Sequence, residues 1–202
     1  MTLVKICGMT NTEDVDQAVA AGADMIGFVL VPWSPRAVDL DAVRALRRHV
    51  PRGVEAVGVL ADETAGYAAQ VLEVAELDRV QVYGPHATET REVLGERAIV
   101  ARRLPADEVV DATDPLLLDR TFGDEPTIEE LAAHWATVAA LGDEGRRIVL
   151  AGALAPDNVA AAVAAARPWG VDVARGVERE PGRKDHDRVS AFIAAAREGK
   201  AA

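Results

Sequence analysis

Eight short apolar runs, six of them followed by a stretch of helical spacing, set the strongest limit on what this chain folds into. The runs lie at 4–7, 25–30, 55–60, 79–82, 98–102, 115–119, 147–151 and 170–174. Most are continuous rather than alternating, the pattern of strands covered on both faces in a parallel sheet. Helical spacing fills intervals at 12–21, 40–50, 64–75, 127–141, 156–166 and 188–197, with Asn11 placed as N-cap of the first. Strand-then-helix alternation points to an α/β architecture. Eight units in 202 residues, roughly 25 per unit, favour a closed (β/α)8 barrel near the lower size limit of that fold. A flavodoxin-like sheet uses about five units and leaves the last third of the chain unexplained. No linker or shift of composition divides the sequence, so the expectation is one domain over residues 1–202.

Charge and composition remove several classes. Asp plus Glu number 33 against 22 Lys plus Arg, a net charge of −11, and no basic run is long enough to form a patch. Nucleic acid and anionic membrane surfaces are thus excluded as partners. No apolar run approaches the ~18–20 residues of a membrane span, and the opening residues lack a charged-then-apolar leader, which makes a cytoplasmic location the expectation. The single cysteine, Cys7, rules out an intrachain disulfide and a cysteine-cluster metal site; it is either a small buried hydrophobe or a reactive thiol. His49, His86, His134 and His186 are scattered and read as solvated or packing histidines, so no metal is expected. No G-x-G-x-x-G follows a strand, which disfavours a nucleotide-dependent oxidoreductase.

In a barrel of this kind the chemistry sits at the C-terminal ends of the strands and in the loops that follow. Cys7 ends the first strand, with Lys5 beside it in a chain whose other lysines are Lys184 and Lys200. Tyr83 closes the fourth strand, Asp119 ends the sixth after three leucines, and Asp172 lies in the eighth. An aspartate in that setting is costly to bury unless paired or functional; the plain alternatives are a helix cap or a salt bridge to Arg120. A thiol and a carboxyl facing one another across a barrel mouth can act as base and acid in moving a proton from carbon. Arg36, after Pro35 in a rigid turn, is suited to clamping a carboxylate, or is simply a surface arginine. Gly152 and Gly176 fall in the loops where barrels bind phosphate, although glycines there also serve ordinary turns.

At these residues the sequence resembles the phosphoribosylanthranilate isomerase family. K-I-C-G-M-T at 5–10, G-F-V-L-V-P-W-S-P-R at 27–36, V-G-V-L at 57–60 and V-Q-V-Y-G at 80–84 match its first four strands. L-L-L-D ending at Asp119, L-A-G-A-L-A-P-D-N-V at 150–159, V-D-V-A-R-G-V-E at 171–178 and P-G-R-K-D-H-D at 181–187 follow in order. The resemblance implies a (β/α)8 fold and an Amadori rearrangement of N-(5′-phosphoribosyl)anthranilate to 1-(2-carboxyphenylamino)-1-deoxyribulose 5-phosphate in tryptophan biosynthesis, with no cofactor. It implies Asp119 as general acid, Cys7 as general base and Arg36 as holder of the anthranilate carboxylate. Lys5, Tyr83 and Asp172 are the further candidates for substrate contact, with Lys5 expected to help the thiol ionise. The partner is then a small phosphorylated aryl-ribosylamine, and family members occur as monomers or homodimers.

The departures from the family pattern cluster at the phosphate end. The glycine-rich loop after the sixth strand is replaced by R-T-F-G-D-E-P at 120–126, where Asp124 and Glu125 add negative charge. Ala153 stands for a second glycine, Ala174 and Arg175 for a serine pair, and Tyr83 for a histidine. Gly152, Ala153, Ala174, Arg175 and Gly176 are therefore the candidate phosphate site, with Arg175 offering a direct cation. Two alternatives remain: an Amadori isomerase for a related aryl-glycosylamine in specialised metabolism, and a catalytically silent barrel that serves as a binding partner. Retention of both Cys7 and Asp119 speaks against the second.

Overall fold

The first strand, β1 (Leu3–Cys7), runs parallel between β2 (Met25–Val29) on one side and β8 (Gly170–Val173) on the other. This closes the ring that continues through β3 (Glu55–Ala61), β4 (Arg79–Tyr83), β5 (Ala98–Leu104), β6 (Leu116–Arg120) and β7 (Ile148–Leu150). The computed structural model describes residues 1–105, 114–120 and 125–199. The expected closed parallel barrel is the fold observed.

The apolar runs do not alternate in sequence because the sheet has a core on each side. Val4, Ile6, Ile26, Phe28, Val80 and Val82 point outward and are buried beneath the helix layer. Val29, Val59, Ile99, Leu117 and Val149 point inward and fill the barrel. Burying a side chain of this kind is worth about 1.5–3 kcal/mol, so the two layers together supply the main driving force for closure.

The helix layer among the described residues comprises α1 (Thr12–Ala20), α2 (Leu40–Arg47), α3 (Ala65–Val74), α4 (Ala87–Leu94), α5 (Ile128–Asp143), α6 (Val159–Ala166) and α7 (His186–Glu198). Asn11 caps α1 as expected, its side chain accepting from the Asp14 N–H at 2.9 Å. Thr127 and Glu130 form a reciprocal capping box that opens α5. Two features lie outside the sequence expectation. The helix α4 follows β4 where no helix was expected; its start at His86 has no side-chain cap and its apolar stripe is thin. After β8 the chain makes a two-stranded antiparallel ribbon, β9 (Glu178–Glu180) with β10 (Arg183–Lys184), which folds back under the barrel mouth. The helix expected from 156 begins at Val159, because Asn158 first ties the preceding turn: its Oδ1 accepts from Ala155 N–H and its Nδ2 donates to the Ala153 carbonyl, both at 2.9 Å. No helix among the described residues is long and apolar enough to cross a membrane.

Candidate active site

Strand alternation puts Lys5 and Cys7 on the inner face of β1, two residues apart. The register sets Lys5 opposite Asp172 of β8, and Lys5 Nζ donates to Asp172 Oδ1 at 3.0 Å. Lys5 is 2% exposed, so the pair is a buried ion pair. Across the other seam Cys7 lies opposite Gly27. The missing side chain there is what makes room, since a Cβ on Gly27 would stand 2.7 Å from Cys7 Sγ and 3.1 Å from Lys5 Nζ. Burial works against the Lys5 charge, yet Asp172 and the Cys7 thiol outweigh it and hold the ammonium above its ordinary value. Burial pushes the Cys7 thiol up, helped by Asp172; Lys5 pulls the other way and does not prevail. Lys5 thus acts in the expected direction, favouring the thiolate, but its ion pair with Asp172 and the burial of the site leave the thiol form favoured.

Asp119 stands on the inner face of β6, two residues beyond Leu117. Its Oδ1 accepts from the Arg120 backbone N–H at 2.8 Å and its Oδ2 accepts from the Tyr83 hydroxyl at 3.1 Å. It pairs with no guanidinium of Arg120, which turns instead toward Glu130 at 3.7 Å. Burial raises the Asp119 carboxyl above the ordinary carboxylate range, and Asp172 adds to the effect against the Arg120 N–H, Tyr83 and Arg103. A carboxyl biased toward its protonated form is suited to donating a proton. Tyr83 is held by the Arg103 guanidinium 4.1 Å above its ring centroid.

Arg36 lines the same cavity, but its fork is already engaged: Nε donates to Glu178 Oε1 at 2.8 Å and Nη2 to Glu178 Oε2 at 2.6 Å. It is neither a surface arginine nor a wholly open clamp; Nη1 and the outer edge of the guanidinium are what a ligand carboxylate can reach. Glu178 Oε1 also accepts a hydrogen bond from Lys184 Nζ at 2.9 Å, and the same ammonium donates to the Cys7 carbonyl at 2.6 Å. Burial opposes the Glu178 charge, but Arg36 and Lys184 hold its carboxyl below the ordinary range. Burial brings Lys184 below its usual value despite Glu178. Sequence reasoning did not single out Glu178 or Lys184 as site residues. The signals were their place in the motifs at 171–178 and 181–187 and, for Lys184, the scarcity of lysine; the β9–β10 ribbon is what brings them to Arg36 and the Cys7 carbonyl.

At the opposite rim, Gly152, Ala153, Ala174, Arg175 and Gly176 line the cavity together. Gly176 packs against the Leu154 carbonyl so closely that no Cβ fits. Ala153 holds φ +55°, a left-handed conformation costing a non-glycine residue about 1–2 kcal/mol, as if the backbone of a glycine loop were kept without the glycine. Arg175 is exposed and, among the described residues, forms no ion pair; Glu178, three positions on, belongs to Arg36 and Lys184. Of the altered sixth loop, Glu125 is exposed, whereas residues 121–124, including Asp124, lie outside the described residues. His134 of α5 is a packing histidine, its Nε2 bonded to the Ala151 carbonyl at 3.0 Å.

The cavity that unites these groups has a volume of about 690 Å³, within the range of small-molecule sites. Cys7, Tyr83, Asp119 and Asp172 line it together with Arg36 and the glycine-flanked loops, whereas Lys5, a candidate for substrate contact, is not among the lining residues and reaches the site through Asp172. Among the described residues no group of three or more His, Cys, Asp or Glu side chains is placed to hold a metal ion. A carboxyl, a thiol and a rim that carries Arg36 and Arg175, in one cavity, have the chemistry for proton transfer on a small anionic molecule.

Comparison with known proteins agrees with this architecture. Residues 4–195 match the family model for N-(5′-phosphoribosyl)anthranilate (PRA) isomerase. The chain is 38% identical over 202 residues to the N-(5′-phosphoribosyl)anthranilate isomerase of Geobacter sp. (strain M21), covering 98% of each protein. It is similar to the crystal structure of phosphoribosyl anthranilate isomerase from Thermotoga maritima, with 33% identity and a TM-score of 0.85 over 98% of this chain and 100% of that one. A structure of such an isomerase in complex with reduced 1-(o-carboxyphenylamino)-1-deoxyribulose 5-phosphate superposes with a TM-score of 0.82 at 32% identity, covering 98% of this chain and 100% of that one. With the family model matched along nearly its whole length and the barrel shared, the chain belongs to the N-(5′-phosphoribosyl)anthranilate isomerase family.

Proposed function

We propose that the chain converts N-(5′-phosphoribosyl)anthranilate to 1-(2-carboxyphenylamino)-1-deoxyribulose 5-phosphate, with Asp119 as acid and Cys7 as base. The observation that carries this reading is one cavity lined both by a carboxyl kept toward its protonated form, on β6, and by a thiol on β1, three strands round the barrel. Asp119 gives its proton to the furanose ring oxygen. The C1′–O4′ bond breaks as the anilino nitrogen lone pair forms a protonated Schiff base. As the cationic Schiff base forms, the Cys7 thiol releases its proton to solvent; the thiolate then removes the C2′ proton, the C–H electron pair becomes the C1′=C2′ bond of an enolamine and the C=N pair returns to nitrogen. Tautomerisation moves a proton to C1′ and leaves the ketone at C2′. Atoms and electrons close without an external oxidant, reductant or metal.

The thiol's raised pKa fits this order of events. Ionisation of Cys7 is unfavourable in the empty site, and the cationic Schiff base supplies the charge that favours it. Arg36 offers its outer edge to the anthranilate carboxylate while Glu178 fixes the guanidinium plane. Arg175, with the backbone of residues 152–153 and 174–176, serves the phosphate. The same reading makes the protein a one-domain cytoplasmic enzyme of tryptophan biosynthesis, acting as monomer or homodimer. The test is loss of the fluorescence of phosphoribosylanthranilate generated in situ. Turnover by the wild type, abolished in Cys7→Ser and Asp119→Asn, is expected; a wild type that leaves the substrate unchanged overturns the proposal.

A further inference from the structure

The inner wall of β4 carries a hydrogen-bond chain that the acid–base steps do not use. Gln81 and Tyr83 both face the cavity and are 2% and 7% exposed. Gln81 Nε2 donates to the Tyr83 hydroxyl at 3.2 Å, and that hydroxyl donates onward to Asp119 Oδ2 at 3.1 Å. With the Arg120 N–H on Oδ1, both oxygens of the carboxyl are held and its plane is set. The same bond orients the Gln81 amide: with Nε2 turned to Tyr83, Oε1 is buried and has no hydrogen-bond partner among the described residues. Buried acceptors are almost always paired, so one left without a partner on a residue that lines the cavity is a place for a donor that arrives with the ligand.

The substrate of the proposed rearrangement brings such donors, the hydroxyls of its sugar, beside the ring oxygen that must be protonated. We propose that Gln81 Oε1 accepts a hydrogen bond from a sugar hydroxyl, and that Tyr83 links this contact to Asp119 as a positioning residue, so that seating the hydroxyl aligns the acid. This rests on the reading of Asp119 as the acid. Tyr83 does not itself touch the reacting atoms. The groups that act on the Asp119 charge are Asp172 from β8, which disfavours it, and the Arg120 N–H, Arg103 from β5 and the Tyr83 hydroxyl, which favour it. Deleting the Tyr83 hydroxyl therefore moves the Asp119 titration to higher pH as well as loosening the carboxyl.

The experiment uses Tyr83→Phe and Gln81→Met, with two ligands: phosphoribosylanthranilate for turnover and the reduced product analogue for calorimetric binding. The Asp119 carboxyl is followed by infrared difference spectroscopy against Asp119→Asn. Gln81→Met is expected to weaken analogue binding by about 10-fold, the scale of one hydrogen bond. Tyr83→Phe is expected to bind within about 3-fold of wild type, to lose about 10-fold in kcat, and to titrate Asp119 at higher pH. One deoxy form of the analogue is expected to bind the wild type about 10-fold more weakly, an arm that needs no variant to fold. Full-strength binding of every deoxy form by the wild type overturns the hydroxyl contact, as does unchanged binding by Gln81→Met. An unmoved Asp119 titration in Tyr83→Phe overturns the link, even if kcat falls, because a merely structural loss does not shift the carboxyl. Failure of the wild type to turn over phosphoribosylanthranilate bears on the proposed function instead, since binding and titration are read without turnover.

Discussion

The carboxylate of Glu178 grips Arg36 through both of its oxygens, at 2.8 and 2.6 Å, and so fixes a guanidinium that projects into the cavity from the loop after β2. Glu178 comes from the ribbon after β8, so one ion pair joins the first and last quarters of the chain at the barrel mouth. Lys184 extends it to the Cys7 carbonyl at 2.6 Å.

Glu178→Gln leaves Arg36 and the buried Lys184 without a counter-charge. Breaking a buried pair in this way costs about 3–5 kcal/mol, read as a fall in the urea midpoint at neutral pH. The sign with pH follows from the depressed Glu178 carboxyl: its stabilising effect is present above the ordinary glutamate range and is lost as pH falls through the depressed value. The wild type is therefore expected to lose stability on acidification more steeply than Glu178→Gln. Parallel curves for the two proteins contradict this account. Among catalytic parameters, KM is expected to rise in the variant, because the guanidinium loses its fixed plane.

Asp119→Asn removes the transferable proton; its one oxygen keeps the Arg120 N–H, while its amide nitrogen meets the Tyr83 hydroxyl as a donor. The expected loss in kcat is about 10²–10⁴-fold, with a circular-dichroism melt close to wild type. A loss below about 10-fold shows that another group protonates the ring oxygen.

Asp172→Asn removes a like charge that raises the Cys7 thiol and leaves Lys5 free to act on it. The thiolate is therefore expected to form at lower pH, measured as the midpoint of the pH dependence of alkylation. An upward shift means that Asp172 acts mainly by holding Lys5 in place.

Gly27→Ala puts a Cβ into the space between Cys7 Sγ and Lys5 Nζ. Overpacking of this kind costs about 1–3 kcal/mol, and here the atoms displaced are the proposed base and its neighbouring cation. Loss of activity is expected to exceed what the loss of stability explains; wild-type kcat in the variant shows that β1 shifts without harm.

Arg175→Ala tests the rebuilt phosphate rim. Binding of the reduced product analogue is expected to weaken at least ~10-fold, about 1.4 kcal/mol, while its dephosphorylated form is nearly unaffected. Equal losses for the two ligands assign Arg175 a structural role.

The barrel was legible because apolar runs recur along the whole chain with helical spacing after six of the eight, and most of those runs report burial on two faces. Cys7, Asp119 and Asp172 were legible for a related reason: a polar group that ends an apolar strand has nowhere to go but the barrel mouth. The helix α4 was not, since a short uncapped helix with few apolar residues draws its stability from packing on β4 and β5 rather than from local signals. The state of each site group was equally out of reach. Whether Lys5 ionises Cys7 depends on Asp172, which strand register puts opposite Lys5 from 167 residues away. Whether Arg36 is open depends on Glu178, 142 residues distant. Local order along the chain decides which residues become strands and which end at the mouth. Charge balance in the cavity is a sum over close, buried pairs, and barrel closure alone brings those pairs together.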